Sequence, residues 1–235
     1  MRESSAFAPG HLTGFFQICD EAADPKRRGS RGAGFSTTLG VHTTVKVERA
    51  ARNSVTIAMN GEVTPAAFVS ENVARRMLSA LDRPHRVRVD HLVETPIGAG
   101  FGSSGGGALS LALALNEALG LGLTRIETAQ VAHLAEIDCG TGLGTVIAEF
   151  AGGFGVLVEP GAPGIGRTVK FGHSGLVGVC LPFGPIPTRD ALADPALRRR
   201  INELGGRFVD ELQRSRDPEL FMQLSRRFAE HVGLI

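Results

Sequence analysis

Residues 94–107 read Glu94-Thr95-Pro96-Ile97-Gly98-Ala99-Gly100-Phe101-Gly102-Ser103-Ser104-Gly105-Gly106-Gly107, between two strongly patterned segments. Before them, Val87 and Val89 alternate with Arg86, Arg88 and Asp90, the period-two signature of a half-buried strand. After them, Leu109, Leu113 and Leu115 mark an apolar helix. A strand that turns through glycine and serine into a helix is a ready anion site. Glycine lets backbone amides approach an anion, and the helix dipole points at it. The stretch is therefore expected to cradle phosphate with Pro96, Gly98, Gly100, Gly102, Ser103, Ser104, Gly105 and Gly106. A flexible connector is the plainer alternative. A β-branched residue at Gly102 is expected to obstruct phosphate and spare the apolar core.

Two familiar phosphate motifs do not fit. Gly100 to Gly105 satisfies G-x-G-x-x-G, but a dinucleotide fold requires a buried strand next, and a second helix follows instead. The only lysines are Lys26, Lys46 and Lys170, so no glycine loop holds the lysine of a Walker-type loop.

Outward from this loop the chain reads as α+β. Val41–Glu48 and Ser54–Met59 are β-branched and separated by a short polar break, which predicts two strands paired with each other. Val69, Val73, Met77 and Leu81 predict a helix that Pro84 ends. Thr124 and Glu127 have the spacing of a capping box at the start of a helix reaching about Glu136. A second glycine loop, Gly140–Gly144, and a short helix up to Gly152 follow. Phe154–Glu159 and Leu176–Leu181 predict strands, and 195–214 and 218–231 predict amphipathic helices. A boundary near Gly153 gives an N-terminal domain, 1–153, and a smaller C-terminal α+β domain, 154–235.

Composition excludes several classes. Glycine is 31 of 235 residues, above the usual share of about 7%, without the period of collagen. With 25 basic and 24 acidic residues the net charge is +1, so neither nucleic acid nor membrane is an expected partner. Cys19, Cys139 and Cys180 form no CxxC pair, which speaks against a disulfide framework. The first residues lack the apolar core of a signal peptide, and a cytoplasmic setting is expected.

Pro96 through Gly106 also matches, in order, the phosphate loop Pro-x-x-x-Gly-x-Gly-Ser-Ser of the kinases of galactose, homoserine, mevalonate and phosphomevalonate, the GHMP superfamily. Within it the chain resembles the archaeal pantoate kinases. The resemblance rests on Phe7–Phe16, Gly29–Gly34 and Ala132–Glu136 with Cys139–Gly144, and covers most of residues 6–233. It implies a two-domain fold, with a ribosomal-S5-like N-terminal domain and a ferredoxin-like C-terminal one. It further implies magnesium-dependent transfer of phosphate from ATP to pantoate, a step towards coenzyme A. A kinase of another small hydroxylated substrate, such as homoserine or shikimate, is the alternative, as is a nucleotide-binding regulatory protein without turnover.

The same resemblance sets the expected roles. Ser104 and Glu136 are the candidate magnesium ligands, hard oxygens suited to that ion. Arg31 is expected to clamp the substrate carboxylate from a loop, with His11, Ser30 and Thr141 nearby. Thr145 stands where many relatives carry a proton-accepting aspartate, which points towards a base-free reaction carried by magnesium and alignment. Relatives also continue to a third glycine-rich motif, so the C-terminal domain is expected to be incomplete, with an unpaired edge that favours self-association, as in a homodimer, or poor stability.

Overall fold

In the computed structural model, which describes residues 1–172, 176–182, 184 and 193–234, one sheet carries the molecule. Its strands are β1 (Arg2–Cys19), β2 (Gly29–Arg49), β3 (Ser54–Met59), β4 (Glu62–Val63), β5 (His85–Val93), β6 (Phe154–Glu159) and β7 (Arg167–Lys170). They lie in the order β4-β3-β5-β2-β6-β7, with β1 paired to β2 along most of its length. The other edge of β2 is shared: residues 41–49 pair with β5, and residues 32–35 with β6.

The two strands expected to pair do not meet. β5 lies between them, and β3 runs parallel to β5. A parallel pair needs a crossover, and α1 (Phe68–Leu78) supplies it with Val69, Val73 and Met77 buried. Gly29–Gly34 is not a loop either but the start of β2. Its glycines admit neighbouring backbone: a Cβ on Gly34 would lie 2.3 Å from the Leu12 carbonyl oxygen.

Helix α2 (Ser103–Leu119) follows the first glycine loop, α3 (Arg125–Cys139) leads into the second, and α4 (Thr145–Ala151) follows it. The capping box forms: the Glu127 amide donates to Thr124 Oγ1 at 3.2 Å, and the Thr124 amide to Glu127 Oε2 at 2.8 Å. Two C-terminal helices, α5 (Pro195–Ser215) and α6 (Pro218–Val232), each begin with proline after an aspartate cap, Asp194 and Asp217. Leu176–Leu181 forms no strand. Val177 is 87% and Val179 96% exposed, and no described strand offers that segment a ladder. β-branched composition alone does not make a strand.

Two apolar clusters result. One packs α1, α2 and α3 on β2, β3 and β5 around Val73, Leu111 and Leu115. The other packs α5 and α6 on β1 and β6 around Phe15, Phe154, Phe208 and Phe221.

Candidate active site

A cavity of about 550 Å³ opens between the phosphate loop, the second glycine loop and the lower half of β2. His11, Ser30, Gly98, Gly100, Gly102, Ser103, Ser104, Gly105, Glu136, Thr141 and Thr145 all line it. These residues are spread over 135 positions of sequence (11 to 145), and the fold brings them to one place. Pro96 lies exposed at the start of the loop, and Gly106 is buried one turn into α2; neither lines the cavity.

The loop is shaped by backbone that favours glycine. Gly98, Gly100 and Gly102 have φ of +78°, +85° and +70°. Gly102 caps α2 and offers no side chain to the first amides of that helix. On the opposite side, the Phe101 carbonyl accepts from the His11 amide at 2.9 Å, tying the loop to β1. The His11 ring is buried, its Nδ1 without a partner, and burial lowers its pKa to about 4, so it is neutral.

Ser104 and Glu136 meet in the structure. Ser104 Oγ donates to Glu136 Oε1 at 2.5 Å, and Thr141 Oγ1 donates to the same oxygen at 2.7 Å. The carboxyl is 2% exposed, and burial pushes its pKa up despite these two bonds. Gly142 leaves it room: a Cβ there would lie 2.0 Å from Glu136 Oε2.

Arg31 is not brought to the cavity. On β2, Ser30, Gly32, Ala33 and Gly34 line the cavity, but Arg31 does not. Its Nε donates to the Val158 carbonyl at 2.8 Å, Nη1 to Gln17 at 3.2 Å and Nη2 to Asp210 at 2.5 Å. Its fork holds β1, β6 and α5 together. Asp138, another carboxylate near the second loop, pairs with Arg76 of α1.

Two residues escaped the sequence reading. Glu149, one helical turn after Thr145, is 2% exposed, and neither carboxyl oxygen has a hydrogen-bond partner among the described residues. Burial, then the nearby Glu136 charge, holds its pKa well above the usual range. The Gly106 amide offsets a little of this without closing a hydrogen bond to it. The second residue is Lys170, which lines the cavity beside Thr168 on β7. The only hints were helical spacing from Thr145 for Glu149, and the scarcity of lysine for Lys170.

Residues 68–153 match the GHMP kinases N terminal domain family. The chain is 36% identical over 234 residues to the pantoate kinase of Thermococcus kodakarensis, covering 98% of this chain and 76% of that protein. It is 33% identical over 229 residues to the pantoate kinase of Methanocaldococcus jannaschii, covering 97% and 80%. Among solved structures, a phosphotransferase related to the coenzyme A biosynthesis pathway superimposes with a TM-score of 0.84 at 33% identity, over 99% of this chain and 77% of that one. A mevalonate diphosphate decarboxylase from Enterococcus faecalis, at 15% identity, shares the fold with a TM-score of 0.66. By these relatives the chain belongs to the pantoate kinase family of the GHMP kinases.

Proposed function

We propose that the protein phosphorylates pantoate to 4-phosphopantoate with ATP and magnesium, and that the cavity is where this occurs. The observation that carries the proposal is the junction of the α2 N-terminus with the buried Glu136 carboxyl and the Ser104 and Thr141 hydroxyls that donate to it. Such a junction would offer amide donors to phosphate beside hard oxygens for a divalent cation.

A buried carboxyl with two hydroxyls and no cationic partner fits magnesium, and Ser104 and Glu136 are the residues that would hold it. Among the described residues no three His, Cys, Asp or Glu gather, which suits an ion that takes its remaining ligands from phosphate and water. Magnesium supplies neutralisation of charge on the transferring phosphoryl group. The chain's own part is positioning. The amides at the start of α2 would hold the phosphates, and Thr141 would orient Glu136. Ser30 and neutral His11 offer polar contacts to the substrate, and Leu143, Val156 and Leu157 offer an apolar wall for its methyl groups.

A threonine hydroxyl does not take a proton at neutral pH, so Thr145 would align rather than deprotonate. Its methyl group, not its hydroxyl, faces Gly102 and Gly105, as does the Glu149 carboxyl. Glu149 does not line the cavity, which argues against it as a substitute base.

ATP consumption should therefore depend on both magnesium and pantoate, with homoserine and shikimate giving no comparable turnover. In single-turnover measurements, Thr145→Val should lose no more than roughly 1–3 kcal/mol of barrier lowering, the cost of one polar contact. Glu136→Gln should lose more and recover in part at high magnesium. A dead Thr145→Val beside an unimpaired Glu136→Gln reverses these roles.

We extend the proposal to the division at Gly153. What supports it is that the first cluster's buried members end at Val146. The second draws on 154–232 with Phe15, Ile18 and Ala33 from the long strands.

A further inference from the structure

A carboxylate drawn from water into a partly apolar cavity needs a cation or several donors to replace its hydration. The ionisable side chains lining this cavity, among the described residues, are His11, Glu136 and Lys170. Glu136 is an acid and His11 is neutral, while Arg31 spends its fork on Val158, Gln17 and Asp210. That leaves one fixed positive charge.

Its position is well defined. Thr168 and Lys170 stand two apart on β7 and so share a face, and both line the cavity. Lys170 is opposite Gly155 of β6, where a Cβ would lie 2.5 Å from the Val169 carbonyl oxygen and 3.2 Å from Lys170 Cα. The missing side chain lets the strands close there. The ammonium donates to the carbonyl of Ala151, the last residue of α4. Ala151, Gly152, Gly153 and Gly155 themselves line the cavity, so the charge sits on a wall almost free of side chains. No carboxylate of the described residues pairs with it. An ammonium has three donors and no acceptor, and one donor is used.

We propose that Lys170 is a specificity-determining residue that binds the carboxylate of the substrate at the α4 end of the cavity, selecting short hydroxy acids over neutral alcohols. The proposal rests on the pantoate reading above.

Steady-state kinetics of the full chain test it, with pantoate and its neutral carboxamide as alternative acceptors. Lys170→Met should raise KM for pantoate roughly tenfold or more, leave KM for ATP within about twofold, and leave carboxamide turnover unchanged. Lys170→Arg, which keeps the charge, should retain much of the wild-type KM. The side chain is exposed, so thermal unfolding of both variants should match wild type. If Lys170→Met leaves KM for pantoate unchanged, or raises KM for ATP instead, the assignment fails while the pantoate reading stands. A wild-type protein without pantoate-dependent turnover overturns both.

Discussion

His91 is held between two hydroxyls, Thr43 Oγ1 at 2.7 Å from Nδ1 and Ser70 Oγ at 3.0 Å from Nε2, and is 3% exposed. Burial lowers its pKa to about 4, as it does for His11. The unfolded chain takes up these protons near pH 6.5, while the folded chain refuses them until about pH 4. Their contribution to stability is therefore complete above pH 6.5 and is lost as pH falls through that window. Between pH 7 and pH 5 each imidazole should account for about 2 kcal/mol of lost stability. Glu149 acts in the opposite sense. Its raised pKa keeps the proton in the folded state after the unfolded chain has released it above about pH 4.5, so its contribution fades as pH rises. Urea unfolding at several pH values separates them. His91→Gln should flatten the acid side, and Glu149→Gln should gain stability at neutral pH. A Glu149→Gln protein that loses stability at pH 7 would mean the carboxyl is satisfied as an anion. Only its helical spacing from Thr145 marks Glu149 in the sequence, because the setting that buries it is made by glycines 43 and more residues earlier.

The helices of this protein were legible because their signals are local. Apolar spacing marked α1, the Thr124–Glu127 box marked α3, and amphipathic patterning marked α5 and α6. Strand partners were not, because pairing is decided across the sheet: β3 lies beside β5 only because α1 crosses over it. The phosphate loop shows the same limit. Its glycines and serines were evident, yet what lies beneath Gly102 was not. At φ +70°, a Cβ on Gly102 would meet Glu149 Oε1 at 2.6 Å and Thr145 Cγ2 at 2.8 Å, whereas Gly100, at +85°, faces open space. The expectation that substitution at Gly102 spares stability is thereby corrected. Gly100→Ala should cost about 1–2 kcal/mol for the left-handed backbone alone. Gly102→Ala should cost about 2–4 kcal/mol, the overlap being added, and should also weaken nucleotide binding in a calorimetric titration. Equal stabilities for the two variants would mean that α4 does not brace the loop.

At the scale of the whole molecule, the C-terminal helices form one wall of the cavity, through Leu197 and Ile201 of α5 and Phe228 and Val232 of α6. They are held to β1 at the edge that no described strand pairs. Asn202 acts as a strand would, its Oδ1 accepting from the Ile18 amide at 2.8 Å and its Nδ2 donating to the Ile18 carbonyl at 3.4 Å. Arg198 reaches Asp20 at 2.8 Å. Between these contacts and the phenylalanine cluster, Gly205 brings the helix backbone onto the strand: a Cβ there would lie 1.9 Å from the Phe16 carbonyl oxygen. In an ordinary helix interior, Gly→Ala stabilises by about 1 kcal/mol. Here the sign should reverse, because the obstacle is backbone and yields only if α5 moves off β1. Gly205→Ala should lose about 2 kcal/mol or more. Gly206→Ala is the matched comparison. Its Cβ would meet only the end of the Gln17 side chain, at 2.8 to 3.1 Å, which can give way at the cost of its 3.2 Å bond from Arg31, so the loss should be smaller than at Gly205. Urea unfolding of the pair decides the matter. If Gly205→Ala is as stable as Gly206→Ala, α5 does not rest on β1 as described, and the cavity lacks the wall that would close it around a small substrate.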